Sequence, residues 1–147
     1  MPSRLFSITL LWLVATTTWA QTNVQQRFGD YSVHYSVFNS SFLEPDIAAA
    51  YDLIRGGDIA LVNIAVTRLN AGGESLGLPT LINGRVQNLL GQSRDLEFKE
   101  IREGQATYYL ASFPISNEDP QHFFINLRPE GTSSTFELNF TRTLYTD

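Results

Sequence analysis

The sequence contains no cysteine, and its only methionine, Met1, and both tryptophans, Trp12 and Trp19, fall in the first twenty residues. From Gln21 onward the chain therefore has no thiol, thioether or indole. That excludes disulfides, thiolate chemistry, Cys-based zinc sites, thioether copper sites and Cys-ligated haem or iron–sulfur centres. Positive charge is also scarce, with 10 Lys and Arg against 15 Asp and Glu. Removing Arg4 with the leader leaves nine against fifteen. Such a surface repels phosphate backbones, because Lys and Arg supply most nucleic-acid affinity, so nucleic acid is excluded as a partner. Histidine, the most versatile catalytic side chain, occurs only as His34 and His122.

The first twenty residues have the order of a secretory leader. Arg4 precedes an apolar run from Leu5 to Ala15, and Thr16-Thr17-Thr18-Trp19-Ala20 leads to a small residue at the cleavage point. The run is about half the roughly 20 apolar residues that a spanning helix needs. Cleavage after Ala20 is the expectation, leaving 21–147 as one domain in the periplasm with no stable membrane insertion. Export without disulfides leaves the hydrophobic core alone to hold the fold.

The remaining chain reads as strands. Tyr31, Val33, Tyr35 and Val37 alternate with Ser32, His34 and Ser36, the period of a half-buried strand. Asp58–Arg68 is apolar on both faces, as a central strand would be, and Thr80–Leu90, Asp95–Arg102, Ala106–Phe113, His122–Arg128 and Phe136–Leu144 bring the count to seven. The step from Phe98 to Ile101 breaks the alternation and predicts a bulge near Lys99 or Glu100. Gly- and Pro-rich separators without long helices predict an all-β, immunoglobulin-like antiparallel β-sandwich of about seven strands, with a closed barrel as the alternative. One short helix is expected over Pro45–Ile54, where Ile47, Ala50, Tyr51 and Ile54 share a face, and it is expected to plug one end of the core. Gln21–Gln26 reads as a polar terminus.

No catalytic constellation stands out. His34 shares a strand face with Ser32 and Ser36, but residues two apart on a strand diverge, and no third, orienting acid is identifiable. A metal site joining His34 and His122 would need adjacent strands and a carboxylate. Glu97, Glu100 and Glu103, interleaved with Lys99 and Arg102, read as a solvated edge, and Asn117-Glu118-Asp119 as a turn. Gly72-Gly73-Glu74-Ser75-Leu76-Gly77 is a flexible loop and no phosphate cradle. No cofactor or metal is expected. The better hint lies in aromatics out of phase with the inward registers, Phe38, Phe42, Tyr108 and Phe124, which either reach the surface or pack on the helix. With His34, His122 and Asn39 of the Asn39-Ser40-Ser41 sequon, they are the candidate ligand- or partner-binding residues.

Phe28 to Leu43, with Leu89-Leu90-Gly91-Gln92, Arg102-Glu103-Gly104 and Phe113-Pro114-Ile115-Ser116-Asn117-Glu118, resembles a family of exported gamma-proteobacterial domains of unknown function. The resemblance covers nearly all of 21–147. It implies a small β-rich periplasmic domain, often encoded near methionine-biosynthesis genes, and supplies no activity, ligand or catalytic residue. The expected role is a non-catalytic periplasmic binding or interaction module, monomer or homodimer, engaging a protein or peptide through a sheet edge or an aromatic patch. The alternative is a small hydrolase or metal-dependent enzyme using His34.

Overall fold

The computed structural model describes residues 24–147, so the expected leader over 1–20 lies outside the described residues. The strands are β1 (Val24–Phe28), β2 (Tyr31–Asn39), β3 (Ile59–Asn70), β4 (Gly73–Glu74), β5 (Thr80–Asn88), β6 (Ser93–Leu96), β7 (Lys99–Glu103), β8 (Ala106–Pro114), β9 (Asp119–Pro129) and β10 (Phe136–Leu144). They form two antiparallel sheets. The first runs β1-β2-β3-β8-β7 with β4 added to β3, and the second runs β10-β9-β5-β6. The architecture is an all-β sandwich with a single short α-helix among the described residues.

Alternation decides the packing. Val33, Val62, Ile64, Ala111 and Phe113 of the first sheet meet Val86, Phe123, Ile125, Leu127 and Leu138 of the second, and all are buried. Aromatic pairs join the layers: Phe113 meets Phe123 edge-on at 5.5 Å, and Tyr35 stacks on Phe140 at 4.3 Å. Such pairs add about 0.5–1.5 kcal/mol each beyond the area they bury.

As the apolar composition of both its faces requires, β3 is central, and its other face holds a second core. There Leu61, Ile101 and Leu110 are buried with Ala48 and Leu53, and Phe38, Leu43, Tyr51 and Tyr108 pack around them. The helix, α1 (Pro45–Ala50), thus covers the outer face of the first sheet instead of plugging the end of the sandwich. It is also shorter than the spacing predicts. Asp52 takes a left-handed φ of 54° and Leu53 N–H reaches back to the Ala48 carbonyl at 2.8 Å, which ends the helix and turns Leu53 inward. Ile54, expected on the buried stripe, is 64% exposed.

Two further differences from the periodicity concern edges. The predicted Asp95–Arg102 strand is two strands, since β6 closes the second sheet and β7 closes the first. The odd step at Phe98 marks a crossover between layers where a bulge was expected. The polar terminus contributes β1, paired with β2 from Val24↔Tyr35 to Phe28↔Tyr31.

Candidate functional site

Each sheet turns one polar constellation outward. On the first, His34 stands opposite Ala65 in β3, and Thr67 lies two residues further along. The turn after β3 brings β4 back so that Glu74 pairs with Leu69. The Thr67 hydroxyl donates to Glu74 Oε1 at 2.5 Å, and His34 Nε2 lies 3.0 Å from Thr67 Oγ1 and 3.1 Å from Glu74 Oε1. These contacts hold the Glu74 carboxyl below the usual carboxylate range, the Thr67 hydrogen bond first and the His34 one second.

The grouping is a histidine, a hydroxyl and an acid, but its wiring is not that of a nucleophile relay. A relay base uses one ring nitrogen toward the acid and the other toward the nucleophile, whose proton it accepts. Here one nitrogen, Nε2, meets both partners, and the Thr67 proton already goes to Glu74. The cluster clasps the β4 hairpin to the sheet.

On the second sheet the register lines outward side chains into rows across four strands. One row is Asn139, Phe124, Arg85 and Asp95; the next contains Glu137, Asn126 and Asn83. Between them runs an open groove of about 590 Å³, within the size range of ligand sites, about 300–1,000 Å³. The Arg85 guanidinium lies 4.0 Å from the Phe124 ring centroid, and the His122 ring stacks parallel on Phe124 at 4.5 Å. Arg85 also donates to Gln87 Oε1 at 2.9 Å. The guanidinium is thereby held over an aromatic ring without an ion pair among the described residues, a placement suited to polar partners. His122 Nδ1 lies 3.3 Å from the Thr141 hydroxyl.

The candidate residues are therefore dispersed. His34 and His122 occupy outer faces of opposite sheets, and no group of three or more His, Asp or Glu side chains among the described residues is placed to hold a metal ion. Phe38 and Tyr108 pack beneath α1. Asn39 spends its amide internally, accepting from Ser41 N–H and donating to the Gly57 carbonyl at 2.7 Å. Phe42 is 77% exposed at the end of a one-turn 3₁₀ segment. On the outer face of the second sheet, His122 and Phe124 come together. Sequence reasoning did not single out Arg85, Thr67 or Glu74. Arg85 is in phase with the wet face of its strand, yet its place beside Phe124 follows only from the pairing of β5 with β9.

Among the described residues, no helix is long and apolar enough to cross a membrane. No curated protein matches the chain. A crystal structure of a DUF4426 family protein from Pseudomonas aeruginosa PAO1 superposes with a TM-score of 0.76 at 33% identity, covering 88% of this chain and 99% of that one. FetP from uropathogenic Escherichia coli, produced in the periplasm, matches with a TM-score of 0.60 at 9% identity over 84% of this chain and 94% of FetP. A copper-bound FetP variant gives a TM-score of 0.57 at 9% identity over 84% and 90%. At that identity the likeness to FetP concerns the fold. The model of one family, described as a domain of unknown function (DUF4426), matches residues 25–147, and with the Pseudomonas structure beside it, the chain belongs to that family.

Proposed function

We propose that this domain is an exported, non-catalytic binding module that meets its partner, a protein or peptide, on the outer face of the second sheet. The observation that carries the reading is the Arg85–Phe124 pair on the wall of the groove, with the His122 ring stacked on Phe124. An arginine and an aromatic ring, both already immobilised, lose little entropy on binding, and these residue types dominate interface energetics. The leader-like order of Met1–Ala20 supports export. The His34 hydrolase is the weaker reading, because the Thr67 hydroxyl gives its proton to Glu74 and not to the imidazole.

The test is site-specific photo-crosslinking in cells, with the photoreactive residue at Asn126. A discrete adduct in the periplasmic fraction is expected. Its yield should fall at least about tenfold on combining Arg85→Ala with Phe124→Ser, the loss typical of interface hot spots, while circular dichroism stays unchanged. An undiminished adduct in the folded double variant overturns the reading.

A further inference from the structure

The four sheet edges are not alike. β6 and β7 have four and five residues, and four of the five in β7 are charged. β1 has five residues. β10 has nine, with one acid and one base, and no proline. Short or charged edges resist strand addition, whereas a long, nearly neutral edge invites it.

The register shows which backbone groups of β10 are free. Glu130 N–H donates to the Pro79 carbonyl, one step beyond the Thr80↔Pro129 pair, and Thr80 N–H goes to the Tyr109 hydroxyl instead. The hydrogen-bonded pairs of β5 and β9 are then Leu81–Arg128, Asn83–Asn126, Arg85–Phe124 and Gln87–His122. Since N–H and C=O of one residue point to the same side and alternate along a strand, Phe123, Ile125 and Leu127 of β9 bond Phe140, Leu138 and Phe136 of β10. Glu137, Asn139, Thr141 and Thr143 therefore aim their N–H and C=O groups away from the sheet.

Two observations bear on what could fill that edge. The first sheet covers it, since Phe28 of β1 stacks on Phe136 at 4.8 Å. A strand added beside β10 at about 4.8 Å would lie under β1 and meet its inward-facing Val24 and Phe28. A whole second sandwich brought edge to edge would drive its own β1 into the same space, which disfavours a second copy. Arg142, in the inward register of β10, has a buried Nε without a hydrogen-bond partner, and its guanidinium makes no ion pair among the described residues.

We propose that β10 is a receptor edge, at which an extended segment of another polypeptide adds as a fifth strand of the second sheet. Its alternate apolar side chains lie under β1, and one carboxylate meets Arg142. Strand addition of this kind draws affinity from the backbone and specificity from alternate side chains. It uses the backbone edge of β10, whose Glu137 and Asn139 side chains also line the groove, and the probe with alternate N-methyl groups tests that edge without altering the groove.

The probe is a nine-residue peptide of alternating valine and threonine whose second valine is replaced by glutamate. On titration, the amides of Glu137, Asn139, Thr141 and Thr143 should shift in nuclear magnetic resonance spectra and change from fast to slow hydrogen exchange. A glutamine-for-glutamate swap in the probe should weaken binding about tenfold, in line with a charge-assisted pair, and Arg142→Gln should erase that difference. Asn139→Pro, at an outward N–H where an edge strand tolerates proline, should abolish binding. A probe N-methylated at alternate residues tests the same point on the unaltered protein and should not bind. Absence of shifts at millimolar probe, shifts centred on another edge, undiminished binding of the N-methylated probe, or self-association through β10 would each overturn the proposal.

Discussion

Tyr108 rests its ring on the second core beside Leu61, Ile101 and Leu110 and donates its hydroxyl to Glu103 Oε1 at 3.0 Å. Burial first, and then the hydrogen bond to a carboxylate, push its ionisation up to about 12. Burial likewise raises Tyr109, whose hydroxyl accepts from Thr80 N–H and donates to Glu100. A tyrosine whose folded pKa exceeds its unfolded one stabilises the fold fully below about pH 10, and that contribution is lost as pH rises toward the folded value. Urea unfolding should accordingly show stability falling between pH 10 and 12. Tyr108→Phe should make that fall shallower while costing only about 0.5 kcal/mol at pH 7, the worth of one hydrogen bond near solvent. An equally steep fall in the variant would remove Tyr108 as a source. The alternation that turns His34 outward is legible along its own strand. Its partner Glu74 is not, because Gly72-Gly73 reads as a flexible loop, and only the tight return of β4 brings the carboxylate within 3.1 Å.

At the scale of elements, the link between β4 and β5 is held more tightly than its glycines suggest. Thr107 N–H donates to the Gly77 carbonyl at 2.9 Å, and Leu78 N–H donates to Val66 at 2.7 Å, so the link is bonded to both β8 and β3. A Cβ at Gly77 would collide with the Thr107 carbonyl oxygen, whereas one at Gly72 would meet nothing closer than the Asn70 side chain at 3.4 Å. Thermal unfolding should find Gly77→Ala destabilised by about 1–3 kcal/mol, the usual cost of overpacking, and Gly72→Ala within about 0.5 kcal/mol of the parent, as for an exposed site. Equal effects would mean that the link is not clamped. Long strands such as β2, β9 and β10 were legible because apolar residues recur at alternate positions, as in Phe123, Ile125 and Leu127 of β9 and Phe136, Leu138 and Phe140 of β10. β1 was not, since only Val24 and Phe28 of its five residues are even half-buried. The step at Phe98 illustrates a real ambiguity, because a bulge and a crossover between sheets shift the alternation by the same one residue. The short helix was legible as a helix but misplaced, since a 3.6-residue period specifies a buried face without naming the surface that covers it.

Across the whole molecule, the two cores share the first sheet. Within β3, Val62 and Ile64 face the second sheet, and Leu61 faces the α1 segment. With no cysteine, cohesion rests on burial and aromatic stacking, and the two cores should not contribute alike. Phe123 is fully buried, stacked on Phe140 at 4.5 Å and edge-on to Phe113, so it ties both sheets together. Its truncation to alanine should cost about 3–5 kcal/mol, a large fraction of the roughly 5–15 kcal/mol that holds a domain of this size, and hydrogen exchange should accelerate in both sheets. Leu53 anchors only the cover, and a six-residue helix has no independent stability. Leu53→Ala should therefore speed exchange around Ala48 and Leu53 while the amides of Phe123 and Ile125 stay protected, because the α1 segment can lift away with the sandwich beneath it intact. If Leu53→Ala instead exposed β9 as strongly as Phe123→Ala does, the cover and the sandwich would be one cooperative unit, and the outer face of the first sheet would be as indispensable to the fold as its inner one.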